Sequence, residues 1–366
     1  MIVGVPKEIK ADEGRVALVP SGVAAFVGHG HAVHVQTGAG LGSGIPDAAY
    51  VEAGAKLVPD AKGVWGEAEL VIKVKEPLGD EVEWMRPDQI VYTYLHLASN
   101  EELTCALMEK QVTGVAYETI QLEDGSLPLL VPMSEVAGRL SVQKGAHCLE
   151  AGSKGRGILI SGVSGVKPAN VVILGAGVAG SNACHVAAGI GAHVTVLDIS
   201  PSRLRYLHDI MGGQITTVMS NAANLAEEVR DADLVIGSVL IPGARTPRLV
   251  SKALVEQMRP GSAIVDIAID QGGCCETARP TTHHDPIYHV ADVVHYCVAN
   301  MPGAVPRTAT YALTNVTLSY GLAIADLGIA RAIEEDPALK KGLNTYQGNV
   351  THQAVADSFG VECVEV

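Results

Sequence analysis

Short apolar runs alternate with helical patterns along the first 130 residues of the chain. Each run has the length of a strand, and the segments between the runs repeat apolar residues at helical spacing. The predicted strands are MIVGVPK (1–7), HAVHVQTG (31–38), ELVIKVKEP (69–77) and QIVYTYLHLA (89–98), with helices at 20–28, 47–55 and from Ser99. A strand, a helix and a further strand in succession are typical of a parallel sheet, so an α/β fold is predicted.

A second series of the same kind begins at Asn170. Before it, residues 131–157 have the pattern of one long helix, and the glycine-rich segment 161–168 is predicted to be a loop. The predicted strands of the second series are 171–175, 193–198, 215–219, 233–239, 263–269 and 293–300. The last sixty residues return to helical patterns, so the chain is expected to cross back to the first domain.

Composition excludes several classes of protein. The 366 residues are enough for about two domains, and 48% are hydrophobic, so a large core is available. A net charge of −14 disfavours a protein that binds the phosphates of nucleic acids. The amino terminus lacks the apolar run of a signal peptide, and the most apolar stretch, 171–197, is interrupted by glycines and polar residues, so no membrane span is predicted. The seven cysteines include no CxxC pair and are expected to be free thiols in the cytoplasm.

The run GAGVAG at 175–180 has the spacing G-x-G-x-x-G. It follows the apolar run VVIL and opens a predicted helix, which is the context that a dinucleotide-binding turn requires. There Gly175 would permit the tight turn, Gly177 would let a pyrophosphate approach the backbone, and Gly180 would let the helix pack close to the strand. The alternative is a glycine turn of purely structural use.

An acidic residue at the end of the next strand supports the dinucleotide interpretation. Asp198 lies 18 residues after Gly180, where a carboxylate can accept hydrogen bonds from the ribose hydroxyls and repel a 2′-phosphate. This predicts NAD rather than NADP as cofactor. Arg203 lies five residues further and could contact the adenosine end or soften that discrimination.

Four polar side chains follow predicted strands, which is where open parallel sheets bind their ligands. They are Arg15, Lys75, His96 and Asp270. A histidine there can transfer protons near neutral pH, and cations can bind an anionic substrate. Each also has a structural alternative: a solvated surface charge, a hydrogen-bonded histidine or a carboxylate that caps a turn.

Two ambiguities remain at this point. Lys73 and Lys75 lie on one face of a strand with period two, so periodicity cannot choose between them. His283, His284, His289 and His295 are close in sequence but match no metal-ligand spacing, so structural roles and no metal site are predicted.

Several motifs resemble the alanine dehydrogenase family, which is related to the NAD-binding α-subunit of proton-translocating transhydrogenase. They are KEIKADEGRVALVP, IKVKEP, YTYLHLA, VVILGAGVAG and the segment from DQGGCCETARP to HYCVANMPGAVPRT, and the resemblance covers nearly the whole chain. It implies two Rossmann-like, doubly wound parallel-sheet domains with the active site in the cleft between them. Residues 1–130 with 305–366 would form the catalytic domain, and 131–304 would bind NAD.

The resemblance also implies roles for individual residues. Arg15 and Lys75 would bind the carboxylate and carbonyl of pyruvate, and His96 and Asp270 would take the acid/base roles. The implied NAD-binding residues, together with the glycine-rich turn, are Ser134, Gly175, Gly177, Val178, Ala179, Gly180, Asp198, Arg203, Ser220, Val239, Leu240, Ile267, Ala268, Ile269, Asp270, Arg279, Val298, Ala299, Asn300 and Met301.

The implied activity is the reversible NAD-dependent deamination of L-alanine to pyruvate and ammonium by a cytoplasmic homo-hexamer. The alternatives are a transhydrogenase subunit that works with a membrane partner, an NAD-binding protein without turnover, and a dehydrogenase of another small substrate such as glyoxylate or glycine. One methylene in a pocket changes discrimination by only about 1 to 3 kcal/mol, so the sequence does not rank these substrates.

Overall fold

The computed structural model describes residues 1–239 and 246–366, and these form two compact units. Unit 1 comprises Met1–Met133 and Val305–Val366, whereas unit 2 comprises Ser134–Ala304. Unit 1 is therefore assembled from the two ends of the chain, and unit 2 is continuous.

Unit 1 contains a sheet of eight strands with helices in the connections. Its strands are β1 (Ile2–Val5), β2 (Ala32–Gln36), β3 (Lys56–Val58), β4 (Leu70–Ile72), β5 (Ile90–Thr93), β6 (Thr113–Ala116), and, after unit 2, β14 (Leu343–Tyr346) and β15 (Asn349–Val350). Its helices are α1 (Pro20–Gly28), α2 (Asp47–Glu52), α3 (Ala61–Glu67), α4 (Asp80–Trp84), α5 (Glu101–Glu109), α11 (Pro306–Leu327), α12 (Ile329–Glu335), α13 (Pro337–Gly342) and α14 (Gln353–Phe359).

Unit 2 contains a sheet of seven strands. These are β7 (Asn170–Leu174), β8 (His193–Asp198), β9 (Thr216–Met219), β10 (Leu234–Gly237), β11 (Ala263–Asp266), β12 (Ile287–Val290) and β13 (Val293–Tyr296). The helices are α6 (Val131–Cys148), which begins in the last residues of the first segment of unit 1, α7 (Val178–Ile190), α8 (Pro201–Ile210), α9 (Ala222–Asp231) and α10 (Lys252–Val255).

The two sheets share one strand order. In unit 1 it is β3-β2-β1-β4-β5-β6 with all pairs parallel, and in unit 2 it is β9-β8-β7-β10-β11-β13, again all parallel. This is the doubly wound 3-2-1-4-5-6 order, which has a switch point beside its first strand where ligands bind. Antiparallel strands extend one edge of each sheet, β14 and β15 in unit 1 and β12 in unit 2. The predicted α/β fold with Rossmann-like sheets is confirmed.

The sequence explains why these segments are strands and helices. The central strands IVYT, LVIG and AIVD are buried at every position, as expected for parallel strands covered by helices on both faces. Side chains cap several helices: Asn100 accepts a hydrogen bond from the Leu103 amide at the start of α5, and Asp60 does the same for Gly63 in α3. No helix within the two described ranges combines the length and the apolar character that crossing a membrane requires.

Several predicted elements are shorter in the structure, and some were missed. The run 69–77 is a strand only to Ile72, and 89–98 only to Thr93. Beyond the Lys73 amide, which still donates to the Tyr92 carbonyl, side-chain carboxylates accept the hydrogen bonds of the Val74, Leu95 and His96 amides. The long helix ends at Cys148, not at 157. The last sixty residues also contain β14 and β15, which the helical prediction for that segment did not include.

Candidate active site

Three of the predicted site residues follow strands that end at the same edge of the sheet in unit 1. Arg15 lies in the segment after β1, Lys75 comes three residues after the end of β4, and His96 three residues after the end of β5. Because β1 and β4 flank the switch point, the segments that carry the two cations are neighbours, and the charge of Arg15 acts on Lys75.

The orientation of Arg15 is fixed by a carboxylate two residues earlier. Arg15 is buried, its Nε donates to Glu13 Oε1 at 2.7 Å, and its Nη2 donates to Glu13 Oε2. Nη1 lies 3.1 Å from the sulfur of Met133. Burial opposes the ionised form of Glu13, but the hydrogen bonds and charge of Arg15 hold its pKa below the ordinary value. The pair therefore presents a guanidinium whose plane is set before any ligand binds.

The cations near Lys75 affect its pKa more than the nearby carboxylates do. Burial, the charge of Arg15 and the charge of Lys10 lower the pKa of Lys75, while Glu13 and Glu76 oppose the shift. The backbone of the residue is fixed as well, because Thr93 Oγ1 donates to the Lys75 carbonyl at 3.0 Å. A partly desolvated ammonium beside a guanidinium is suited to binding a small anion.

His96 is presented to solvent by an unusual backbone conformation. Its φ of 52° lies in the left-handed region, and its side chain is 47% exposed. The ring stacks on Tyr94 with centroids 6.0 Å apart and planes 6° from parallel. Glu118 accepts hydrogen bonds from the Leu95 and His96 amides, and its carboxylate oxygen lies 3.8 Å from His96 Nδ1. These contacts hold the imidazole at the same edge of the sheet at which the segments of Arg15 and Lys75 begin.

Sequence reasoning missed two acidic residues of this site. Glu13 is separated from Arg15 by one residue in a segment rich in charged residues, and the sequence does not indicate which of these charges pair. Glu118 follows β6, the neighbour of β5, and its position at a strand end would have been a signal had β6 been predicted. Both carboxylates orient a predicted site residue through hydrogen bonds.

In unit 2 the glycine-rich turn connects β7 to α7. Gly175 has a φ of +102°, which disfavours any side chain. A Cβ at Gly180 would lie 1.8 Å from the Gly175 carbonyl oxygen, whereas a Cβ at Gly177 would meet no atom within 4 Å. The first glycine is therefore required by its backbone conformation and the third by packing, and the second borders open space at the amino end of a 13-residue helix. Val178 and Ala179 form the first turn of that helix, where backbone amides can bind phosphate oxygens.

Asp198 ends β8 beside the glycine-rich turn. Its Oδ2 accepts a hydrogen bond from the Ala176 amide at 2.7 Å, and its Oδ1 accepts one from Ser200 at 2.8 Å. A cavity of about 570 Å³ opens beside the next residue, Ile199, and is also lined by Ser220. Since a carboxylate oxygen can accept more than one hydrogen bond, Asp198 retains acceptor capacity for a polar ligand in this region.

Asp270 lies on a short 3₁₀ helix, Ile267–Gln271, directly after β11. The Asp266 side chain caps this helix by accepting a hydrogen bond from the Ala268 amide at 3.1 Å. The Asp270 carboxyl group is exposed and accepts a hydrogen bond from the Asn300 amide at 3.3 Å. Asn300, with a φ of 57°, belongs to the segment after β13, so two of the predicted cofactor segments meet here.

The other predicted cofactor residues are spread along the carboxyl ends of the strands in unit 2. Val239 and Ser220 follow β10 and β9, and exposed Arg279 lies over the ring of Tyr288 at 4.2 Å. The rest are half-buried Ser134 on α6, exposed Arg203 on α8, and Val298, Ala299 and Met301 after β13. Leu240 lies outside the described residues.

Three of the neighbouring histidines have separate hydrogen-bond partners. His289 contacts the Ser153 carbonyl, His295 contacts Thr277 and the Val293 carbonyl, and His283 contacts the Asn300 carbonyl. Within residues 1–239 and 246–366, the group with three potential metal ligands close together is Asp266, Cys274 and Cys275. The oxygens of that aspartate accept hydrogen bonds from backbone amides, including those of both cysteines, so the cluster anchors the loop after the 3₁₀ helix.

Comparison with known proteins shows the family to which the chain is similar. The family model described as alanine dehydrogenase/PNT, N-terminal domain, matches residues 4–137, and the corresponding C-terminal domain matches residues 141–353. An alanine dehydrogenase of Methanococcus maripaludis is 57% identical over 97% of this chain and 96% of its own length. An alanine dehydrogenase of Bacillus subtilis is 55% identical over 100% of this chain and 96% of its own length.

Solved structures show the same likeness. An L-alanine dehydrogenase with 53% identity superimposes with a TM-score of 0.96 and covers 98% of this chain and 99% of its own. A transhydrogenase from Sinorhizobium meliloti, 27% identical, superimposes with a TM-score of 0.83 over 97% of this chain and 100% of its own.

Proposed function

The chain belongs to the alanine dehydrogenase/PNT family, and from that premise we propose that it is an NAD-dependent L-alanine dehydrogenase. The reaction converts L-alanine, NAD⁺ and water to pyruvate, ammonium and NADH with release of a proton, and it is reversible. The observation that carries the proposal is the pair of neighbouring cations, Arg15 and Lys75, at the switch point of unit 1 with the His96 imidazole at the same edge.

The residues of unit 2 fit a bound dinucleotide. The space beside Gly177 and the amides at the start of α7 suit a pyrophosphate, and Asp198 next to the cavity at Ile199 suits a ribose without a 2′-phosphate. When bound, NAD⁺ supplies the acceptor for the α-hydrogen of the amino acid. Asp198, Arg203 and Ser220 would hold the adenosine end of NAD. The segments at Ile267–Asp270 and 298–301 would hold its nicotinamide end.

The residues of unit 1 would bind and polarise the substrate. Arg15, held in plane by Glu13, binds the carboxylate through N–H donors. Lys75 donates to the oxygen at the reacting carbon and stabilises its developing negative charge, an effect worth about 3 kcal/mol for one donor. His96 and Asp270 hold and move the protons that accompany addition of water to the imine and loss of ammonia.

The proposal is tested by following NADH absorbance with the purified protein and a panel of amino acids. Oxidation of L-alanine well above serine, glycine and glutamate is expected, with NAD⁺ and no second protein added. A preference for another amino acid would contradict the substrate assignment, and NAD⁺ binding without turnover would contradict the enzymatic role. Hydride exchange between nucleotides that needs a partner protein would favour the transhydrogenase alternative.

Asp198→Asn is expected to shift the preference towards NADPH. The amide oxygen can still accept the hydrogen bond from the Ala176 amide, although the one from the Ser200 amide is lost, and the neutral side chain no longer repels a 2′-phosphate. We expect the ratio of kcat/KM with NADPH to kcat/KM with NADH to rise about tenfold. Steady-state amination of pyruvate with each nucleotide measures it. Asp209→Asn on the exposed face of α8 is the control, and an unchanged ratio in the Asp198 variant would rule out its proposed role.

Binding of the oxo acid is expected to weaken at alkaline pH because Lys75 loses its proton. Burial and the charges of Arg15 and Lys10 lower the pKa of Lys75, so the loss begins at a lower pH than for a solvated lysine. Lys10→Met removes one of these charges and should move the alkaline limb to higher pH. The dissociation constant of oxamate, an unreactive analogue of pyruvate, is measured as a function of pH with NADH present, and the pH range in which it rises is the alkaline limb.

A matched control for that experiment is Lys7→Met, which removes an exposed charge from the same loop. Lys7 is not among the charges that shift the pKa of Lys75. It should leave the limb in place. The same limb in wild type and Lys10→Met would show that Lys75 does not control binding in this range.

Assembly and location are further parts of the proposal. A homo-hexamer is expected from the family, and sedimentation of the purified protein tests it. The cytoplasm is the expected location, since the seven cysteines are free thiols of which most are buried.

A further inference from the structure

A buried charged cluster contacts the loop that carries the proposed substrate lysine. Lys73 is 0% exposed, and its Nζ lies 2.8 Å from Glu81 Oε1 and 3.2 Å from Glu8 Oε2. The side chains of both glutamates are almost fully buried as well. Burying charges is costly, and apolar residues of similar volume often stabilise a fold as well or better. The cluster therefore calls for a role besides stability.

The two carboxylates hold the backbone of the loop that carries Lys75. Glu8 Oε1 accepts hydrogen bonds from the Val74 amide at 2.6 Å and from the Lys75 amide at 3.4 Å. Glu81 Oε2 accepts one from the Leu78 amide at 3.1 Å. Because β4 ends at Ile72, these amides lie beyond the sheet ladder, and the carboxylates take the place of strand partners.

Lys73 joins the two carboxylates to each other. Glu8 belongs to the segment after β1, which continues to Arg15, whereas Glu81 belongs to α4, after the Lys75 loop. One ammonium group between them thus fixes the spacing of the segments that carry the two proposed substrate cations. Without it, two buried carboxylates would repel each other and release the amides that they hold.

We propose that Lys73 is a positioning residue that sets the place of Lys75 relative to Arg15 through Glu8 and Glu81. This rests on the proposed function, because it takes Arg15 and Lys75 as the groups that bind the substrate. It assigns different tasks to the two lysines of the IKVKEP motif: Lys75 meets the ligand, and Lys73 holds the frame around it. Small errors in such a frame weaken substrate binding and turnover more than they weaken binding of the nucleotide, which the residues of unit 2 would hold.

The test uses Lys73→Met and the triple variant Glu8→Gln/Lys73→Met/Glu81→Gln, in which no charge is left in the cluster. The expected result for both is a rise of about tenfold in KM for L-alanine, with a dissociation constant for NADH within about twofold of wild type. Steady-state kinetics and NADH fluorescence measure the two quantities. Wild-type oxidation of alanine is established first, so that failure of the proposed function is recognised separately.

The matched control is Gln89→Leu. Gln89 is a buried polar residue of the same unit whose Nε2 donates to the carbonyls of Trp65 and Ala68, not to the Lys75 loop. It should lower Tm without raising KM for alanine. A folded Lys73 variant with normal KM, or a control with the same rise in KM, would overturn the proposal. Failure of the triple variant to fold would also count against it, since the cluster would then be a requirement of folding.

Discussion

Replacing His96 by alanine is expected to lower kcat for alanine oxidation by at least about 100-fold, because the variant lacks the imidazole to which we assign proton transfer at the reacting carbon. The ring is half-exposed at the carboxyl edge of unit 1, stacked on Tyr94 and held by the contacts of Glu118 with its backbone. Its removal leaves Arg15 and Lys75 in place, so KM for alanine should change far less than kcat. Steady-state kinetics with the purified variant measure both.

A matched control for that variant is His29→Ala. The His29 side chain is 49% exposed and contacts Asp326 at 2.8 Å, so it resembles His96 in exposure and in having a carboxylate partner. It lies at the end of α1, and its loss should leave kcat unchanged. Turnover of His96→Ala close to wild type would show that another group moves the protons.

Asp270→Asn is expected to reduce kcat to a similar extent. The amide is the same size as the carboxylate and can still accept the hydrogen bond from the Asn300 amide, but it cannot take up a proton at neutral pH. A loss of at least about 100-fold in kcat with a normal dissociation constant for NADH would separate proton transfer from cofactor binding. Stopped-flow measurement of the hydride step checks whether the loss is in the chemistry.

The control for this change is Asp285→Asn, which alters an exposed aspartate in the loop before β12. It should leave both kcat and nucleotide binding unchanged. If Asp270→Asn kept near-normal turnover, the carboxylate would serve only to hold the Asn300 amide and would not be an acid or base.

The central strands could be predicted from sequence because parallel strands that are buried on both faces consist of short apolar runs. VVIL, which precedes the glycine-rich turn, and IVYT, which precedes a capped helix, are both short apolar runs that this context predicts to be strands. The strand β14, with the sequence LNTY, has no such signal: it forms because β6 offers an antiparallel partner more than 200 residues away. Only the folded chain contains that information.

The same division applies to the site. Arg15, Lys75 and His96 could be proposed because the ends of parallel strands converge, which is a property of the fold class. Periodicity could not choose between Lys73 and Lys75, and the structure shows why: both lie after the end of β4, where period two no longer applies. Glu118 was missed because the strand that precedes it, β6, was not predicted, and its contact with the His96 amide exists only in the folded chain.

The division of unit 1 between the two ends of the chain has a consequence for biosynthesis. A ribosome releases the continuous unit 2 before it has made α11 or β14, so unit 2 can fold while unit 1 is still incomplete. During that interval β6 lacks its antiparallel neighbour and has an open hydrogen-bonding edge. The β6 edge of the nascent polypeptide is therefore exposed to aggregation until the last residues have been made.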